Sequence, residues 1–351
     1  MEKTVVLYPG LAVSHFVPMM ELAKVFLKHR YAVTVAFIHG PDTPACLATA
    51  VDHVVSSSQS ISLQRLPPAA PPAFSCDNND FLLNYYNLIK SYNCNMPNFN
   101  CMLLHNNDRL HSFMCSLLDH QHVHALVVDI FSIDTLDVAE TLGVPTYAFH
   151  PSGATSLAVY LQLPCLSAKF PSGFGELGDT PLELLGVLAM PASHLSKEIH
   201  AHPESDLYRA SLSKWARVLD ADGIIVNTFQ SLESRAVEAL TNDPGCVPNR
   251  ALPPVFCVGA VGASTASDQK CLAWLDKQPD RSVVFLCFGS DGTHRAEQLR
   301  EIAVGLEKSG HRFLWVVQQA PADLGEQLLP DGFLERTKGV VWLSTHGCLR
   351  S

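Results

Sequence analysis

Two residues 114 positions apart carry the side chains of a general-base dyad. His15 follows the β-branched run 4–8 and its Pro9-Gly10 turn, within a loop expected over 9–16, and Asp129 ends the apolar run 125–129. An imidazole backed by a carboxylate can take a proton from a hydroxyl, because the carboxylate fixes the tautomer and stabilises the imidazolium. His15 follows a predicted strand and Asp129 ends one, and open parallel sheets bind ligands beyond the carboxyl ends of their strands. Spacing alone favours a second reading, since His15 is one of sixteen histidines and a solvated or structural role is the commoner one.

A second candidate is the turn Phe288-Gly289-Ser290-Asp291-Gly292, which follows a predicted strand and precedes a predicted helix. Small residues there let backbone N–H groups approach a phosphate, although a tight turn without a ligand explains them as well. Other chemistries lack their motifs. There is no Gly-x-Ser-x-Gly elbow, phosphate-binding Gly-x-x-x-x-Gly-Lys loop or His-Glu-x-x-His pair. Gly259-Ala-Val-Gly262 opens no helix, so a dinucleotide-dependent oxidoreductase has no support. The eleven cysteines are scattered and form no Cys-x-x-Cys, which points to reduced thiols in a cytoplasmic protein and to no metal site.

These residues need elements to hold them. Residues 4–8 read as a buried strand, 17–28 as an amphipathic helix built on Val17, Met20, Leu22, Ala23, Phe26 and Leu27, and 32–38 as a second strand. Right-handed crossover makes this a parallel βαβ unit. The pattern continues with a strand over 125–130, a helix over 134–142 with Asp134 as N-cap, strands over 146–149 and 223–226, and a helix over 232–240. Between them lie a Pro-rich stretch (66–72), helical polar-aromatic material (80–120) and an irregular segment (164–202), where a variable binding surface is expected. Residues 242–267 concentrate Pro and Gly and mark a boundary. A second sheet, starting near residue 255, has strands at 282–288, 312–317 and 340–343 and a helix at 295–307. The resulting division is an N-terminal Rossmann-like domain (1–243), a linker (244–268) and a partial C-terminal domain (269–351). Its three or four strands fall short of the five or six or so expected of a complete mononucleotide-binding domain.

Composition narrows the class further. The 351 residues are 47% hydrophobic and 17% charged, with net charge −10 and no basic block, which argues against a nucleic-acid partner. No run approaches the roughly 20 apolar residues of a membrane span, and Glu2 is wrong for a signal peptide.

Four stretches resemble the plant family 1 UDP-sugar glycosyltransferases: residues 271–290 (CLAWLDKQPDRSVVFLCFGS), 297–317, 330–338 and 223–233. Pro9-Gly10 through His15 and Pro18, with the run 125–129, completes the set, and the nearest subgroup acts on flavonoids, chalcones and small phenols. The resemblance implies an α/β GT-B architecture of two Rossmann-like doubly wound domains, with acceptor bound mainly by the first and UDP-sugar mainly by the second. It implies that His15 deprotonates an acceptor hydroxyl, with Asp129 as its partner, in an inverting transfer of a sugar, glucose foremost, that needs no metal or other cofactor. Gly289 and Ser290 would meet the donor phosphates, and Ser14, Ser152 and Gly153 would line the acceptor and sugar pocket. Pro151 and Ser14 depart from the residues frequent at those positions. After Lys338 the family continues into a donor-binding signature beginning Trp-Ala-Pro-Gln, whereas this chain reads Gly339-Val-Val-Trp342-Leu-Ser-Thr-His346-Gly-Cys-Leu-Arg-Ser351. A chain truncated before or within that signature is the expectation. The alternative function is then a catalytically impaired product that binds small molecules or partners a full-length relative.

Overall fold

Side chains alternate between the two faces of a strand, and here both faces are buried. In β1 (Lys3–Tyr8), Val5 and Leu7 enter one apolar cluster while Val6 and Tyr8 enter the other. β2 (Ala32–Ile38) repeats the division, with Val33, Val35 and Phe37 on the first side and Ala36 and Ile38 on the second. Strands covered on both faces read as continuous apolar runs, which is why these segments are legible without polar alternation.

The computed structural model describes residues 3–10, 12–38, 45–57, 60–67, 100–243, 245–248, 250–259, 268–288, 294–316, 329–339 and 341–344. The chain divides into two units, 1–261 and 262–351. The first is built on a seven-stranded sheet that adds to β1 and β2 the strands β3 (Ile61–Leu66), β4 (His122–Asp129), β5 (Thr146–His150), β8 (Gly223–Val226) and β9 (Val255–Cys257). Their order is β3-β2-β1-β4-β5-β8-β9, and every pairing is parallel. The direction of winding reverses between β1 and β4, so their carboxyl ends flank a topological switch point. A two-stranded antiparallel hairpin, β6 (Pro181–Leu182) with β7 (Met190–Pro191), stands apart within the otherwise irregular segment.

Helices cover both faces. One face takes α1 (Val13–Lys28), through Phe16, Met19, Met20, Leu22 and Ala23, and α2 (Ala45–Ser57), through Leu47 and Val51. The other takes α3 (Asn100–Leu118), α4 (Leu136–Leu142), α5 (Ala154–Ser167), α6 (Asp206–Arg217) and α7 (Ser234–Asn242). Its cluster includes Leu110 and Met114 of α3, Leu157 and Leu161 of α5, and Trp215 of α6. Spacings of four residues within α3 and α5 put those pairs on one helical face.

Several sequence expectations shift. The helix expected over 17–28 begins at Val13, so His15 occupies its first turn and not a loop. Pro18 suggests a later start, but the helix tolerates it inside, giving up one backbone bond near its beginning. Asp134 does not cap a helix: a 3-10 turn (Ile130–Thr135) precedes α4, and Asp129 caps that turn through the Phe131 N–H. The stretch 244–268, read as a linker, supplies β9, whose three residues pair with β8 in the first sheet, so residue 255 does not begin the second. Helices α5 and α6 are absent from the sequence reading, although Ser205 caps α6 with its side chain on the Tyr208 N–H. Residues 68–99, which take in most of the Pro-rich stretch (66–72) and the first half of the expected polar-aromatic region (80–120), lie outside the described residues.

The second unit contains α8 (Asp268–Leu275), β10 (Val283–Cys287), α9 (Ala296–Ser309), β11 (Arg312–Val316), α10 (Phe333–Arg336) and β12 (Val341–Ser344). Its described strands form a parallel sheet of order β10-β11-β12. Phe313 and Trp315 pack with Leu299, Ala303 and Phe333 on one face, and Leu314 packs with Cys271 on the other.

Candidate active site

The carboxyl ends of β1 and β4 bring the two sequence candidates together. His15 Nδ1 lies 2.8 Å from Asp129 Oδ2, and the side chains are 14% and 0% exposed respectively. The other carboxylate oxygen, Oδ1, accepts the Phe131 backbone N–H at 2.8 Å. A buried carboxylate needs such partners, and here one comes from backbone and one from the imidazole. With Nδ1–H donating to Asp129, Nε2 carries the ring's free lone pair.

Two further residues shape this dyad, and sequence reasoning did not assign them. The Phe131 ring stacks on His15 with centroids 4.3 Å apart and an interplanar angle of 24°. Gly10 leaves room for the carboxylate, because a Cβ there would lie 2.7 Å from Asp129 Oδ1 and 3.1 Å from its Cγ. The signal for Gly10 is present as Pro9-Gly10, but it reads as a turn. Its second role appears only when β4 is placed beside β1.

His150, at the end of β5, is 5% exposed and also went unassigned. Its Nε2 lies 2.7 Å from Ser156 Oγ, and that hydroxyl donates to the Gly153 carbonyl at 3.3 Å. The network therefore assigns the proton to Nε2 and leaves Nδ1 as a buried acceptor without a hydrogen-bond partner among the described residues. Burial pushes the His150 pKa down to about 4; the nearby His15 acts in the same direction, while Asp129 and Glu233 oppose it.

Ser152 is exposed and Gly153 half-buried at the start of α5, and Ser14 is exposed in the first turn of α1. Gly153 packs against a carboxylate of the chain itself. Glu233 accepts the N–H groups of Ala154 at 2.7 Å and Thr155 at 3.0 Å, and the Thr228 hydroxyl at 2.6 Å. A Cβ on Gly153 would meet Glu233 Oε2 at 2.5 Å. These bonds hold the Glu233 carboxyl below its ordinary pKa against the opposing effect of burial, and they fill the N-terminus of α5. Gly289 and Ser290 lie outside the described residues. Among the described residues no group of three or more His, Cys, Asp or Glu could hold a metal ion, and no helix is long and apolar enough to cross a membrane.

Residues 73–343 match the family model described as UDP-glucoronosyl and UDP-glucosyl transferase. The chain belongs to this family. An anthocyanidin 5,3-O-glucosyltransferase of a Rosa hybrid cultivar is 33% identical over 345 residues, covering 95% of this chain and 71% of that protein. A phloretin 2'-O-glucosyltransferase of Pyrus communis is 33% identical over 375 residues, covering 97% and 74%. Among solved structures, a Polygonum tinctorium UDP-glucosyltransferase capable of glucosylating indoxyl superposes with TM-score 0.76 at 32% identity, covering 98% of this chain and 71% of that one. Phytolacca americana UGT2, complexed with UDP-2fluoro-glucose and pterostilbene, gives 0.75 at 31% identity, covering 98% and 71%. The chain is accordingly a UDP-glycosyltransferase by family, with the α/β units of the GT-B fold.

Gly10→Ala is expected to displace the Asp129 carboxylate and break its bond to His15. NMR should show loss of the downfield His15 Nδ1 proton signal, with a stability cost of about 1–3 kcal/mol typical of overpacking. An unchanged signal would refute the close fit of Gly10. A second expectation concerns acid. Unfolded His150 titrates near its ordinary value of about 6.5, so as pH falls from there towards about 4 the unfolded chain binds a proton that the folded chain does not. Its contribution to stability is full above that window and is lost as pH falls through it, by on the order of 3 kcal/mol. Urea unfolding at neutral and mildly acidic pH should show a shallower loss in His150→Asn than in the unmodified chain.

Proposed function

We propose that this protein transfers a sugar, glucose foremost, from a UDP-sugar to a hydroxyl of a small phenolic or flavonoid acceptor, with inversion at the anomeric carbon. The observation that carries the reading is the 2.8 Å bond between His15 Nδ1 and the buried Asp129 carboxylate at the switch point of the parallel sheet. The acceptor class comes from the relatives, two of which are named for anthocyanidin and phloretin.

In this mechanism His15 Nε2 accepts the proton of the acceptor hydroxyl as its oxygen attacks the anomeric carbon. The carbon–oxygen bond to UDP breaks on the opposite side, and the electron pair leaves with UDP. Asp129 holds the reactive tautomer and balances the charge of the imidazolium. We assign contacts with the donor phosphates to Gly289 and Ser290, after β10, and contacts with acceptor or sugar to Ser14, Ser152 and Gly153. No step is assigned to a metal ion. The free thiols of Cys115, Cys165, Cys246, Cys257, Cys271 and Cys287 support a cytoplasmic location.

Glucosyl transfer from UDP-glucose to a panel of phenols, followed by chromatography, tests the reading. His15→Ala should abolish transfer, and Asp129→Ala should lower it on the order of 10²-fold or more, as expected of a base and its orienting partner. Equal rates in the unmodified chain and His15→Ala would remove the mechanism.

A further inference from the structure

Tyr208 and Trp215 of α6 are buried, and Lys214 stands beside Trp215 at the rim of that apolar face. α6 packs against the 3-10 turn that carries Phe131. A lysine at such a rim lays its stem along apolar surface and carries its charge beyond it. Here Nζ comes to rest over the Phe131 ring, 4.8 Å from its centroid, and His15 stacks on the same ring at 4.3 Å. The two distances place the ammonium within about 9 Å of the imidazole. His15, Phe131 and Lys214 are all half-buried, so the ring shields both polar groups from water on the side it covers.

The charges around this ring pull in opposite directions. The Asp129 carboxylate, 2.8 Å from His15 Nδ1, favours the imidazolium, whereas an ammonium nearby disfavours it. The other groups near His15 add little charge of their own. Burial keeps His150, at the end of β5, neutral at physiological pH, and Glu233 is tied to the start of α5 and to Thr228. On the Lys214 side, burial lowers the lysine pKa, while Asp134, Glu198 and Asp129 oppose that. Arg217, the next cation on α6, is already engaged by Asp137 and Asp220. Lys214 itself makes no ion pair among the described residues, so its charge is left to act on what its ring partner touches.

We propose that Lys214 is a positioning residue for the general base, acting on His15 through the shared Phe131 ring. It holds the ring against the imidazole by a cation–π contact, and its charge opposes the imidazolium, so the base is free when the acceptor arrives. The inference rests on the reading of His15 as that base. A buried carboxylate alone biases a histidine towards the protonated ring, which cannot accept a proton. A general base works best when its two forms balance near the operating pH, and a cation set against the carboxylate moves the balance that way.

The test reads His15 directly and needs no turnover. In the full chain the Cε1 proton of His15 is followed by NMR across a pH titration, its signal assigned by its loss in His15→Ala, and circular dichroism confirms that each variant is folded. Lys214→Met keeps most of the side chain and removes its charge, so the His15 midpoint should rise by on the order of half a pH unit or more. Lys214→Arg, which keeps a cation on the ring, should restore the unmodified midpoint. In a Phe131→Leu background Lys214→Met should move the midpoint much less, because water replaces the ring. In glucosyl transfer, the acid limb of the pH–rate profile should move up with the midpoint. A midpoint unmoved by Lys214→Met, an equal rise in Lys214→Arg, or the same shift with and without Phe131 would overturn the inference. Midpoints that shift as stated, in a chain that transfers no sugar from UDP-glucose to any phenol, would sink the proposed function and leave the coupling of Lys214 to His15 standing.

Discussion

The Asp129 carboxylate has no contact with solvent, and much of the first unit's architecture around the switch point follows from that. A carboxylate removed from water loses hydration that only close donors can replace. Asp129 has two, the Phe131 N–H and the His15 ring, and each depends on a different element. The backbone donor exists because β4 ends in a 3-10 turn for which Asp129 is the N-cap. The imidazole donor exists because α1 starts four residues before the sequence reading had it, bringing His15 into its first turn. Gly10 completes the arrangement by contributing no side chain where the carboxylate must lie. The dyad is thus fixed by strand ends and a helix start, elements stiffer than loops.

The rigidity of those elements comes from burial on both faces. β1 pairs with β2 on one side and β4 on the other, and its alternate side chains enter separate apolar clusters. A slip of β1 by one residue would exchange those clusters and move the Pro9-Gly10 turn relative to Asp129. The register Tyr8↔Val128 therefore does two jobs, since it closes the core and aligns the ends of the two strands. The same sheet carries His150 at the end of β5, one strand beyond Asp129.

This explains how much of the protein can be read from its sequence. Central strands announce themselves as short apolar runs, so β1, β2, β4, β5, β8, β10 and β11 fall within a few residues of expectation. His15 and Asp129 are legible because one follows such a run and the other ends one, and parallel topology gathers strand ends. What the sequence hides is whatever depends on contact across elements. Phe131 looks like an ordinary apolar residue until its ring lies on His15. Glu233 sits 79 positions from the helix end it caps, so no local pattern marks the pair. β9 is hidden for a different reason: three residues set among prolines read as linker, and only pairing with β8 makes them a strand.

The capping of α5 also bears on where a nucleotide's phosphates can go. A helix start beside an open sheet edge is a natural place for an anion, because its first N–H groups lack intrahelical partners. In α5 two of those groups are already spent on Glu233, and an approaching phosphate would also meet that carboxylate's negative charge. The site is closed to an anion by the chain's own side chain. α9, which follows β10 in the second unit, differs: its N-cap, Arg295, provides no side-chain hydrogen bond to the first turn, and Gln298 reaches back only to the Arg295 N–H. The contrast agrees with the division of labour proposed above, in which a neutral hydroxyl-bearing acceptor would lie beside His15 and the charged half of the donor after β10.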